Sequence, residues 1–106
     1  TKTQAEDVRV ALADAALGQH FVAEAPVVLA FAATYERTTS RYGERGTRYV
    51  HIDLGHAGQN VHLQAVSLGL ASVPVGAFHD DAVARVLQLP RDQKALYIIP
   101  VGRPRR

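Results

Sequence analysis

The side chains in this 106-residue chain that could do chemistry are five histidines, four tyrosines, a few scattered carboxylates and a basic C-terminus. His51, His56 and His62 are separated by steps of five and six residues, and His20 and His79 stand apart. At about 100° per helical residue those steps scatter the imidazoles around a helix and do not stack them on one face. No HExxH or i, i+4 pair occurs, so no metal site is expected. With no cysteine there is no thiolate nucleophile, no disulfide framework and no cysteine-based zinc site. The carboxylates considered are Glu36, Glu44, Asp53, Asp80 and Asp81. Asp53 and Asp80 read as helix N-caps, and none of the five forms an acid–base pair. GxSxG, Walker and GxGxxG patterns are all absent, which removes the common hydrolase, P-loop and dinucleotide fingerprints.

Two short stretches remain. Val73-Pro74-Val75-Gly76 joins strand-forming residues to a proline without an N–H and a glycine free in its dihedrals. Such a stretch is an edge or a bulge and leaves neighbouring N–H groups able to point at something. Arg103-Pro104-Arg105-Arg106 follows an apolar strand and a glycine. It is either a solvated terminus or, through Arg103, a bidentate phosphate clamp.

The elements that must position these groups centre on residues 49–78. From Ile52 to Leu70 no proline occurs, and two apolar lines run along one helix. Ile52, Gln59, Leu63, Val66 and Leu70 make one; Leu54, Ala57, Val61, Ala65 and Leu68 make the other. A helix apolar on more than one side is expected to be buried on more than one side, either in the core or at a subunit interface. Gly55 and Gly58, one turn apart, are where another backbone or a ligand comes close, and Gly69 falls at the C-cap. Before this helix, residues 5–17 form an amphipathic helix ended by Gly18. Val27–Ala33 is an apolar run expected to be a strand buried on both faces. Residues 34–47, with two glycines, two tyrosines and three arginines, read as a loop with room for a short helical turn, either a binding lid or a solvated connection. After it, residues 80–87 form a short helix and residues 95–102 the last strand. The order helix, strand, long helix, strand, helix, strand describes an α/β or α+β layer arrangement.

Length allows one domain, residues 1–106, with a modest core. Apolar residues make up 47% and charged residues 21%, as in a globular chain. A net charge of +2 gives no reason to expect nucleic-acid binding. No signal peptide and no spanning segment is recognised, so no membrane association is expected, and a cysteine-free chain fits the cytoplasm.

Three segments together resemble the C-terminal half of the nitroreductase-like flavoproteins, most closely the branch of azoline-oxidising dehydrogenases of peptide modification. The first is Ala25-Pro-Val-Val-Leu-Ala-Phe. The second is Arg41-Tyr-Gly-Glu-Arg-Gly-Thr-Arg-Tyr, running into Leu54-Gly-His-Ala-Gly-Gln-Asn and Leu68-Gly-Leu. The third is Val75-Gly-Ala-Phe-His-Asp-Asp, followed by Tyr97-Ile-Ile-Pro-Val-Gly-Arg-Pro. The resemblance extends from about Val8 to Pro104.

What it implies is specific. The fold would be α+β, a partial nitroreductase-like domain with a mixed, mainly antiparallel sheet and the long central helix at the interface of an intertwined homodimer. FMN would bind between subunits, approached by the backbone of Pro74, Val75 and Gly76, with Arg103 and then Arg105 on its phosphate. The reaction would be hydride transfer through FMN, with NAD(P)H or an organic substrate as donor. Tyr35 and Tyr42 would lie on the substrate side, with Tyr42 able to donate or accept a proton. In the azoline-oxidising branch a Lys-Tyr pair stands at about the place of Arg41-Tyr42; arginine does not act as a base. Members are about twice this length, and their N-terminal half carries an arginine- and serine-containing motif against FMN that residues 1–24 do not supply. The chain is therefore expected to be part of a longer enzyme, to work with a second chain, or to be a non-enzymatic dimerisation or partner-binding module with a degenerate flavin site.

Overall fold

A computed structural model of the protein describes residues 6–104. The elements, in chain order, are α1 Arg9–Ala15, α2 His20–Glu24, β1 Val27–Ala33, α3 Glu36–Tyr42, α4 Arg45–Ser67, β2 Ala71–Ser72, α5 Asp80–Val86 and β3 Lys94–Gly102. The fold is α+β, and its three strands form one antiparallel sheet in the order β1-β3-β2.

The last strand takes the centre because it is apolar on both faces. Successive side chains of a strand point to opposite sides. Ile98 joins Leu12, Val22, Val75 and Val83 on one side, in a core closed by α1, α2 and α5. Tyr97 and Ile99 turn the other way, toward Gly58 of α4. Ile98 and Ile99 are both fully buried. Each fully buried apolar side chain contributes about 1.5–3 kcal/mol. β1, expected to be buried on both faces, is mostly exposed, with Val27 and Leu29 open to solvent. It pairs with β3 along one edge, and its other edge has no partner strand among the described residues.

α4 also departs from expectation. It starts seven residues before Ile52, so Asp53 lies inside the helix and is not its cap. Only Gly46, Gly58 and Ala65 of its residues are buried. The two apolar lines separate: Leu54, Ala57, Val61 and Ala65 face the sheet side, whereas Ile52, Gln59, Leu63 and Val66 are exposed. Leu68, at the C-cap, is exposed as well. Tyr97 explains the glycine at 58, because a Cβ there would stand 2.8 Å from its ring. Gly55 has no neighbour of this kind. At the C-terminus Gly69 adopts φ 74°, and its N–H bonds Val66 O at 3.0 Å while Leu70 N–H bonds Ala65 O at 2.8 Å. This pair of bonds satisfies the last carbonyls and turns the chain sharply into β2.

Residues 34–47 are not a loop. They hold α3, the tight turn at Gly43 with φ 65°, and the first residues of α4. Asp80 is the first residue of α5 and not its cap; His79 stands at the N-cap without a side-chain bond. Asp80 and Asp81 lie in the first turn, where negative charge meets the positive helix end.

Candidate functional site

The backbone between β2 and α5 leaves N–H donors without a partner among the described residues. Residues 71–75 run antiparallel to β3 in a single register, through Ala71↔Gly102, Ser72↔Val101 and an isolated bridge Val75↔Ile98. Pro74 and Pro100 each remove a ladder donor, which keeps this edge short. Val73 N–H bonds Pro100 O at 3.2 Å. Val75 N–H bonds Ile98 O at 2.8 Å, and Ile98 N–H bonds Val75 O at 3.1 Å. Of the three residues expected to offer amides, therefore, Pro74 has none and the Val75 amide is used by the sheet. Gly76 is the exception.

The direction of the Gly76 N–H follows from its neighbour. In a trans peptide the carbonyl and the next N–H point opposite ways. The Val75 carbonyl points at β3, so the Gly76 N–H points away from the sheet. Among the described residues it has no acceptor. A Cβ built on Gly76 would meet nothing within 4 Å, so the space beside it is open.

Arg103 is exposed at the end of β3, immediately after Gly102, which pairs with Ala71. It lies five residues beyond Ile98, about 16 Å along the same strand at 3.3 Å per residue. Among the described residues it has no ion-pair partner. Arg105 lies outside the described residues.

Tyr42 ends α3 and is 51% exposed. Its ring meets that of Tyr49 edge-on at 5.2 Å, the Arg41 guanidinium lies 5.5 Å from its centroid, and Arg45 lies 6.0 Å from Tyr49. Gly58, level with Tyr97 and so close to the Val75–Ile98 bridge, is about 14 Å further down α4 than Tyr49 at 1.5 Å per residue. Within one chain the structure does not bring Tyr42 to the Gly76 loop.

The sequence profile of the Nitroreductase family matches residues 1–103. The chain belongs to the Nitroreductase family. A Methanocaldococcus jannaschii protein with the provisional name nitroreductase is 53% identical over 98 residues, which are 92% of this chain and 48% of that protein. Nitroreductase A of Vibrio parahaemolyticus has a similar fold at a TM-score of 0.81 and 28% identity, over 95% of this chain and 48% of that one. The NADPH:FMN oxidoreductase of Vibrio harveyi, solved in complex with NAD+, matches at a TM-score of 0.79 and 28% identity, over 93% of this chain and 46% of that one. The chain thus spans about half the length of these relatives.

Three features of this nitroreductase-family chain have no signal in the sequence pattern. The Tyr35 hydroxyl and His51 Nε2 are 2.6 Å apart, with the rings edge-on at 5.6 Å. Burial, and then the charge of Asp80, push the Tyr35 phenol up from its ordinary range. His62 Nδ1 hydrogen-bonds the Ser72 hydroxyl across α4 and β2, and its buried Nε2 has no partner among the described residues. The third is Gln19, whose side-chain amide reaches Ala77. A groove of about 910 Å³ lies along β1, lined by Arg9, Leu12, Val27, Leu29, Leu87 and others. Among the described residues, no three His, Asp or Glu side chains are grouped to hold a metal ion. No described helix is long and apolar enough to cross a membrane.

Proposed function

We propose that this chain is the C-terminal half of a nitroreductase-type domain and serves an FMN-dependent oxidoreductase as a homodimer. The observation that carries the proposal is the Gly76 N–H, held outward by the Val75–Ile98 bridge and facing open space in a Nitroreductase-family fold. A flat, acceptor-rich ring system fits such a place: the backbone is bare, the donor is unpaired, and no side chain intrudes. Bound FMN would supply the hydride-transfer chemistry. The chain's part is to donate from Gly76, to meet the phosphate with Arg103, and to exclude water along the edge of β2. Arg105 is the second phosphate candidate. Pro74 and Val75 contribute shape, since neither has an N–H to give.

Dimerisation is supported by the exposed apolar line of α4. Ile52, Leu63 and Val66 are 47%, 59% and 73% exposed on one line of the helix, and large apolar side chains left open together suit an interaction surface. A second copy is also what would bring Tyr42 toward a flavin site and let its hydroxyl exchange a proton with an organic substrate. NAD(P)H as electron donor is supported by the Vibrio harveyi relative, which is named for NADPH and FMN and holds NAD+. A cytoplasmic setting goes with that donor. The unpaired outer edge of β1 and the groove beside it are where the remaining half of the domain would add strands and helices.

The second reading, a non-enzymatic association module, is favoured by one observation: the α4 stripe is complete in this chain whether or not flavin binds. An absorbance spectrum of the purified protein with and without FMN, taken with its solution mass, separates the two. A dimer that holds oxidised flavin and is reduced by NAD(P)H supports the enzyme. A colourless dimer that leaves added FMN free overturns it.

A further inference from the structure

Gly76 is flanked by three anchors, and only one of them belongs to the sheet. On its N-terminal side the Val75–Gly76 peptide is fixed by Ile98 N–H at 3.1 Å. On its C-terminal side the next carbonyl but one, Ala77 O, accepts from Gln19 Nε2 at 3.0 Å. The same nitrogen donates to Ala16 O at 2.8 Å. Both acceptors are carbonyls, so the group facing them is the amide NH2 and not its oxygen. His79 N–H then bonds Ala15 O at 2.9 Å. Loop residues 77–79 are thus tied to the C-terminal carbonyls of α1 and its cap. Gln19 is aimed there by the turn at Leu17 and Gly18, both at positive φ, 60° and 70°.

Glycine has the widest backbone freedom of any residue, and Gly76 lacks even a neighbouring atom to rest a side chain against. The sheet holds the Val75–Gly76 peptide and Gln19 holds the Ala77–Phe78 peptide, so the chain at Gly76 and Ala77 turns between two fixed peptides. We propose that Gln19 is a positioning residue for the cofactor-facing loop: the Val75–Ile98 bridge aims the Gly76 N–H, and Gln19, by holding the Ala77 carbonyl on α1, keeps the segment after Gly76 clear of the space that N–H faces. This rests on the flavin reading proposed above. It joins a helix near the chain's start to the redox loop by one side chain, across 58 residues of sequence.

The test uses two substitutions of similar size. Gln19→Glu keeps the shape and replaces the donor with an acceptor, which two carbonyls repel. Gln19→Lys keeps a donor on a flexible stem. Three quantities are measured on the purified protein: the affinity for oxidised FMN, the affinity for reduced FMN, and deuterium exchange at the His79 amide without flavin. In Gln19→Glu, oxidised FMN is expected to bind about tenfold more weakly and reduced FMN more weakly still, and exchange at His79 is expected to rise. Gln19→Lys is expected to recover most of each. A purely structural effect would lower both affinities by the same factor and leave their ratio unchanged. Wild-type protein that ignores FMN overturns the flavin reading, and this role with it. Wild-type protein that binds FMN, with Gln19→Glu binding both redox forms equally well, overturns the role of Gln19 alone.

Discussion

The two sides of the sheet are built from similar apolar residues and end differently. On the side of α1, α2 and α5 the core is closed: Val22, Val83 and Ile98 are at 0% exposure and Leu12 at 2%. On the side of α4 only a narrow contact is made, through Gly58 and Ala65, while Leu63 and Val66 remain largely in solvent. The first side is completed within the described chain. The second presents a finished apolar line with nothing from the described chain on it. Apolar periodicity specifies which residues will leave water together; it does not specify whether the cover comes from the same chain or another.

Substitutions on the two sides should have different consequences. Ile98→Ala should cost about 2–5 kcal/mol, as expected for a cavity in a closed core, read from denaturant unfolding. Arg103→Ala should leave both layers intact and weaken FMN about ten- to a hundredfold, as for loss of a charge-assisted bond of 1.5–3 kcal/mol, read by flavin titration. Gly58→Val sits where α4 touches the sheet and should cost about 1–3 kcal/mol, because its side chain meets the Tyr97 ring. Leu63→Asp should change the stability of the isolated chain by no more than about 0.5 kcal/mol while lowering the solution mass from dimer to monomer. If Leu63→Asp instead unfolds a dilute monomer as Ile98→Ala does, the two sides are not different in kind.

The smallest effect concerns pH. A side-chain hydrogen bond from Arg9 lowers the Asp7 carboxyl from 3.8 to about 2, over an ion pair of 2.8 Å. The folded state therefore holds this proton less readily than the unfolded chain. The contribution is present above about pH 4 and lost as pH falls toward 2. Asp7→Asn should flatten slightly the acid limb of the stability profile and lower the plateau above about pH 4 by a small amount that does not vary further with pH.

Much of the fold was legible in the sequence where one residue type has one physical use. Gly69 ends α4, and Pro74 marks a sheet edge, as their chemistry requires. The errors came where a residue has two uses. Gly43 and Gly46 made residues 34–47 look like a loop, yet Gly43 turns between two helices and Gly46 lets their backbones touch, a Cβ there standing 2.9 Å from Thr39. Asp53 and Asp80 look like caps and are not, because α4 begins earlier and His79 holds the N-cap position of α5. For the site, the bare backbone at Gly76 was legible. The use of the Val75 amide by Ile98 was not, since it is decided by a strand that comes later in the chain. The Gln19 and Tyr35–His51 contacts were equally hidden, because each is made by the fold and not by spacing.

The most direct measurement is FMN affinity in Gly76→Val, with solution mass and unfolding recorded on the same sample. Gly76 is not at positive φ, and its Cβ would meet no atom, so the fold should tolerate valine. A flavin-facing Gly76 N–H requires that mass and stability stay as in the wild type while FMN affinity falls at least a hundredfold, on the order of 3 kcal/mol. Unchanged FMN affinity in a folded Gly76→Val protein would contradict it.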